Sequence, residues 1–146
     1  MLTAIRISIS VLLLFPMIIK ADDINDRKHV FTWEKQVGYS QVVQVDNTLY
    51  FSGITSSKKT LKGQMVDIYQ IIEKILAGYQ LNMDHIVKEV IYTTDIEKLK
   101  AETAARKAFF SNDRYPASSW VQVERLFNPN EMIEIEVIVQ KPTRAK

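Results

Sequence analysis

The sequence has no cysteine among its 146 residues, and only two histidines, four glycines and four prolines. Without a thiol there is no disulfide framework, no CxxC redox pair, no thiolate nucleophile and no Cys-ligated metal centre. So little Gly and Pro excludes collagen-like and low-complexity chains. Neither sign of charge dominates, with 19 Lys+Arg against 17 Asp+Glu and a formal net charge of +2. No arginine-rich arm, helix-turn-helix spacing or aromatic-studded basic strand offers a nucleic-acid surface. What is present is 47% hydrophobic and 10% aromatic residues, enough for the core of one domain of this length.

There is one long uncharged run, Ile7 to Ile19, preceded by Arg6 and followed by Lys20-Ala21-Asp22-Asp23. That order predicts a secretory signal peptide over 1–21, cleaved after Ala21, although Ile19 is a poor match to the usual small residue two positions earlier. The rival is a retained anchor. Thirteen residues span roughly 20 Å as a helix against a hydrocarbon core of about 30 Å, and Pro16 interrupts them. The expected address is therefore export: periplasmic in a Gram-negative bacterium, secreted otherwise, with no membrane attachment after cleavage. Loss of residues 1–21 removes Arg6 and Lys20 and no acid, which leaves the mature chain neutral.

After a flexible polar leader over 22–30, a folded domain is expected over 31–141, with a short tail at 142–146. Phe31–Lys35 reads as a short strand. Gln41–Val45 and Thr48–Phe51 read as a hairpin about Asp46-Asn47, residues that tolerate a left-handed backbone. From Gly63 the period becomes helical, with Met65, Ile68, Ile72, Leu76 and Tyr79 on one side. Ile86–Tyr92 reads as a strand with Val87 and Ile91 on one face and Ile86, Val90 and Tyr92 on the other. Thr94-Asp95-Ile96-Glu97 opens a second helix to Phe110. Its Ala101, Ala104, Ala105 and Ala108 would allow close approach to a sheet. Ser111–Ser119 reads as a loop, followed by strands Trp120–Leu126 and Met132–Val139. The class is α+β: a mixed sheet with two helices on one face. Several strands carry apolar residues on both faces, Leu49 and Phe51 against Tyr50, Ile135 and Val137 against Ile138. A second subunit is the economical cover for the face the helices leave bare.

Chemistry has few carriers. His29 and His85 lack ligand spacing and read as a solvated residue and a loop or helix-end residue. HExxH, EF-hand, GxSxG and phosphate-loop patterns are absent, so no metal or cofactor is expected. Glu134 and Glu136 share one strand face, roughly 6.6–7 Å apart. Two such carboxylates make either a general acid–base pair with one raised pKa or a solvated face paired to cations across the ladder. Tyr39, the strand-end Ser52-Gly53, Ser118 and Glu134 form the best distributed set, though spacing alone does not bring them together.

Taken in order, Gly38-Tyr39-Ser40-Gln41, Thr48–Gly53, the Val87–Thr94 strand, Phe109-Phe110, Pro116-Ala117 and Ile133-Glu134-Ile135-Glu136 resemble the Rid family of reactive-intermediate deaminases, also called YjgF-like. The likeness runs from about Trp33 to Gln140. It implies a chorismate-mutase-like fold, a homotrimer with clefts between subunits, and cofactor-free hydrolysis of amino-acid enamines and imines. By the same resemblance Glu134 positions or activates water, Tyr39, Ser52 and Gly53 line the pocket, and an arginine after Pro-Ala clamps the substrate carboxylate. Here Ser118 stands at that arginine's place and Thr103 at a frequent asparagine's. A serine offers neither charge nor a bidentate fork. The expectation is a trimer that binds a small metabolite, with deaminase activity weak or lost; neutral or cationic ligands then suit the pocket better than anions. The alternatives are an active deaminase clamped by Arg114 or Arg125, and a non-catalytic structural or protein-binding trimer.

Overall fold

The computed structural model describes residues 26–142. The stretch read as a signal peptide, 22–25 of the leader and 143–146 of the tail lie outside them. A six-stranded mixed sheet in the order β1-β2-β3-β6-β4-β5 forms the body. The strands are β1 (Asp26–Lys28), β2 (Val42–Val45), β3 (Thr48–Phe51), β4 (Ile86–Thr93), β5 (Ala117–Gln122) and β6 (Ile133–Gln140). All neighbours are antiparallel except β4 and β5. Among the described residues four α-helices accompany them: α1 (Glu34–Val37), α2 (Leu61–Gly78), α3 (Ile96–Ala101) and α4 (Thr103–Lys107). No helix of the described residues is long and apolar enough to cross a membrane.

The hairpin turns where expected: Val45 pairs Thr48 and Asp46 takes a φ of 49° between them. Thr60 caps α2 by accepting the Gly63 N–H at 3.1 Å, and the α2 apolar stripe lies on the sheet. Met65, Ile68, Ile72 and Leu76 meet Leu49, Ile91, Ile133, Ile135 and Val139, all fully buried. The opposite face bears Tyr50, Val90, Tyr92, Glu134, Glu136 and Ile138, none of them buried.

Five expectations are revised. Phe31–Lys35 is not a strand; the chain turns into α1 and leaves it through Gly38 at φ 93°. Asp26–Lys28, within the expected leader, instead pairs with Val42–Gln44 as the edge strand. In β4 a register irregularity between Ile86 and Lys88 breaks the alternation. Ile86 therefore joins Ile91 in the core, and Val87 is 48% exposed. The second helix splits at Glu102, where the Thr103 hydroxyl donates to Lys100 O at 2.7 Å and competes with the backbone ladder. Its alanines are mostly exposed; Leu99, Arg106 and Phe110 are what it buries. Finally, Ser118 and Ser119 belong to β5, which starts immediately after Pro116 and ends at Gln122. Proline cannot donate to the ladder, so pairing with Lys88–Thr93 begins at Ala117.

Candidate functional site

Where the chain leaving β3 passes across the start of β6, a cleft of about 740 Å³ opens, lined by Tyr39, Ser52, Gly53 and Glu134 among others. Four of the residues singled out from the sequence thus share one cavity. Its floor depends on the missing side chain of Gly53. A Cβ there would lie 1.7 Å from Glu134 Oε1, so only glycine lets this carboxylate rest on the strand end. Ser52 is a clasp: its hydroxyl donates to Ser40 O at 2.8 Å, and Gln41 Nε2 donates to Ser52 O at 2.7 Å.

The outer wall is aromatic and is built by a buried acid. Glu34 is fully buried and accepts from the backbone N–H of Val30 at 2.8 Å, Phe31 at 2.5 Å and Gln41 at 3.0 Å. Its second oxygen also meets His29 Nδ1 at 3.1 Å. Burial opposes ionisation of Glu34, but these donors overcome it and hold the carboxyl below its ordinary range. The knot folds 29–41 into a turn that presents Phe31 and Trp33, stacked at 4.5 Å and 9°, to the cleft. Trp33 Nε1–H then donates to the Tyr39 hydroxyl at 3.0 Å. Phe127, 75% exposed, closes the other side.

Glu134 is half-buried, and among the described residues no hydrogen bond or ion pair reaches its carboxylate. Burial raises its pKa, and the charges of Glu136 and Glu131 add to the rise. Cross-ladder pairing to cations is not found: Glu134 sits opposite Tyr92, and Glu136 opposite Val90, with the Tyr92 hydroxyl 3.4 Å from Glu136. The cleft's other acids are engaged. Glu131 accepts from Thr55 Oγ1 at 2.7 Å and from the backbone and side chain of Asn128. Asp67 accepts from Ser56 Oγ at 2.6 Å, with Lys58 at 4.0 Å. Among the described residues no lysine, arginine or histidine lines the cleft.

Ser118 lies elsewhere. It projects onto the helix-covered face, where its hydroxyl donates to Glu89 Oε1 at 2.6 Å and accepts Trp120 Nε1–H at 2.7 Å. Glu89, fully buried on β4, also takes the guanidinium of Arg106 from α4 and the Tyr69 hydroxyl at 2.9 Å. Phe110 packs 5.0 Å from that guanidinium. Burial, then the Glu89 charge, push the Tyr69 phenol up. Arg114 stands exposed after α4, and Arg125 donates to the carbonyls of Leu126 and Phe127; neither lines the cleft. His85 closes the cap of the 3-10 turn at Met83–His85 by bonding Asn82. Among the described residues no group of three His, Asp or Glu side chains is placed to hold a metal ion.

Sequence reading missed Glu34, Asp67, Glu131, Phe127 and the Glu89–Arg106 pair. None left a clear trace: Glu89 follows another charged residue, Lys88, in the strand.

Comparison with known proteins agrees with this architecture. The family model described as Endoribonuclease L-PSP matches residues 33–141, and the chain belongs to that family. A RutC family protein of Buchnera aphidicola is 32% identical over 120 residues, which cover 77% of this chain and 94% of that protein. Another from Aquifex aeolicus is 33% identical, covering 70% and 88%. Among solved structures, a Mycobacterium tuberculosis member of the YjgF/YER057c/UK114 family superposes with a TM-score of 0.73 at 26% identity, covering 80% of this chain and 98% of that one. RidA from an Antarctic Psychrobacter gives 0.65 at 28%, covering 70% and 88%.

Proposed function

We propose that the protein is an exported homotrimer of the Rid type that binds a small metabolite in its clefts, with 2-imino acid hydrolysis weak or lost. Export rests on the uncharged Ile7–Ile19 run and the Lys20-Ala21 that follows. Assembly is supported by the apolar side chains Tyr50, Val90 and Ile138 on the uncovered sheet face. One observation carries the functional reading: among the described residues of one subunit, the cleft that gathers Tyr39, Ser52, Gly53 and Glu134 has no cation in its lining.

In imine hydrolysis, water adds to the imine carbon, ammonia leaves and a 2-oxo acid remains. Glu134, with its raised pKa and its place in the cleft, suits the removal of a proton from that water. What is missing is a partner for the substrate's carboxylate. Ser118, at the expected clamp position, spends its hydroxyl on Glu89. Loss of a charge-assisted clamp acting in the transition state costs about 2–4 kcal/mol, roughly 30- to 1000-fold in rate. The activity in the family's description is not carried over either, because a phosphodiester would bring negative charge to a cleft already holding three carboxylates.

The test is turnover of freshly generated 2-iminobutyrate or 2-aminoacrylate by the processed protein. Near-background rates, unchanged in Glu134→Ala, are expected. Rapid turnover abolished by Glu134→Ala would overturn the reading and point to a clamp supplied by Arg125 or Arg114. Light scattering that finds a lone monomer would remove the trimer.

A further inference from the structure

We propose that the ligand of this cleft is an organic cation, an ammonium group carrying an apolar substituent, held by Glu134 against the Trp33–Tyr39 wall. The inference rests on the cleft being the binding site and names what it binds. Glu134 is the one acid of the cleft with no partner among the described residues, whereas Asp67 and Glu131 are already hydrogen-bonded. An anion placed here would face three carboxylates of the same subunit, and among the described residues the one cation near them, Lys58, is already beside Asp67. A neutral ligand would displace water from Glu134 and give nothing back to its charge. A cation is the occupant that compensates what burial costs this group.

The wall supplies the second half of the recognition. Phe31 and Trp33 stack at 4.5 Å, Trp33 is 51% exposed, and its N–H is fixed on Tyr39. Such a wall offers π faces to a cation and apolar area to its substituent. A bare metal ion fits less well: among the described residues no three carboxylates come together to ligate one, and a cavity of about 740 Å³ is the size of a small organic molecule. The raised pKa of Glu134 is consistent, since a bound ammonium would draw the group back towards its ionised form.

Three probes with the same ring separate the charges: benzylamine, benzyl alcohol and benzoate, titrated calorimetrically into the processed oligomer at neutral pH. Benzylammonium is expected to bind about tenfold or more tightly than the alcohol, and benzoate weakest. Glu134→Gln should bring benzylammonium down to the level of the alcohol, and Trp33→Leu should weaken both. Equal binding of amine and alcohol would overturn the cation while leaving a metabolite cleft in place. Benzoate binding tightest, with turnover of imino acids, would overturn both readings. No binding by any of the three to a folded oligomer would overturn the cation proposal.

Discussion

Two glutamates on neighbouring strands of one sheet have opposite surroundings. Glu89 on β4 faces the helices, is fully buried, and is satisfied by Arg106, Tyr69 and Ser118. Glu134 on β6 faces the other way and receives no donor among the described residues. The first is a carboxylate finished by its own chain; the second waits for something from outside. Ser118 is what joins the comparison, because the position where the Rid resemblance expects a substrate-binding arginine serves the finished carboxylate and not the waiting one.

Breaking the finished side should have the largest effect. Arg106→Ala leaves Glu89 buried and uncompensated and should cost about 3–5 kcal/mol, read as a lower urea midpoint at unchanged slope. Glu34→Ala strands the N–H groups of Val30, Phe31 and Gln41 and should cost about 3 kcal/mol. Because the Glu34 carboxyl sits below its ordinary value, its contribution is full above that value and fades as pH falls through the folded one. The variant should therefore show a flatter acid limb in thermal melts taken between pH 6 and pH 2. On the waiting side, Gly53→Ala should push Glu134 off the strand end at a smaller cost in stability, because that carboxylate gives up no hydrogen bond. Its clearer signature is loss of cleft binding in the same titrations.

Glu134→Gln should give the smallest stability change and the opposite sign. With its folded pKa above the ordinary value, Glu134 holds its proton more tightly in the native state, so its ionisation opposes folding as pH rises. The amide should be slightly stabilising at pH 8 and neutral below the ordinary carboxylate range. A destabilising Glu134→Gln would mean that this carboxylate has a donor after all and would erase the contrast with Glu89.

The alternation of Ile133–Val139, the α2 stripe and the Asp46-Asn47 turn were legible because each is a local period or a local backbone need. Gathering Tyr39, Ser52, Gly53 and Glu134 into one cleft needed motif order as well, since nothing local links residue 39 to residue 134. What escaped was set by tertiary contacts. A carboxylate pulling three N–H groups inward made a turn of Phe31–Lys35 despite its strand-like composition. An inserted residue in β4 moved Ile86 to the face opposite the one its parity gave. Serines 118 and 119 look like loop residues until a parallel neighbour supplies their ladder. The Glu89–Arg106 pair was hidden by distance in sequence, an acid in a strand lying 17 positions before a base in an alanine-rich helix.

The Glu34 knot grips chain on both sides of a turn, just beyond β1 and just before β2. Tension on the outermost strand is therefore passed along a few covalent links to the rings that border the opening.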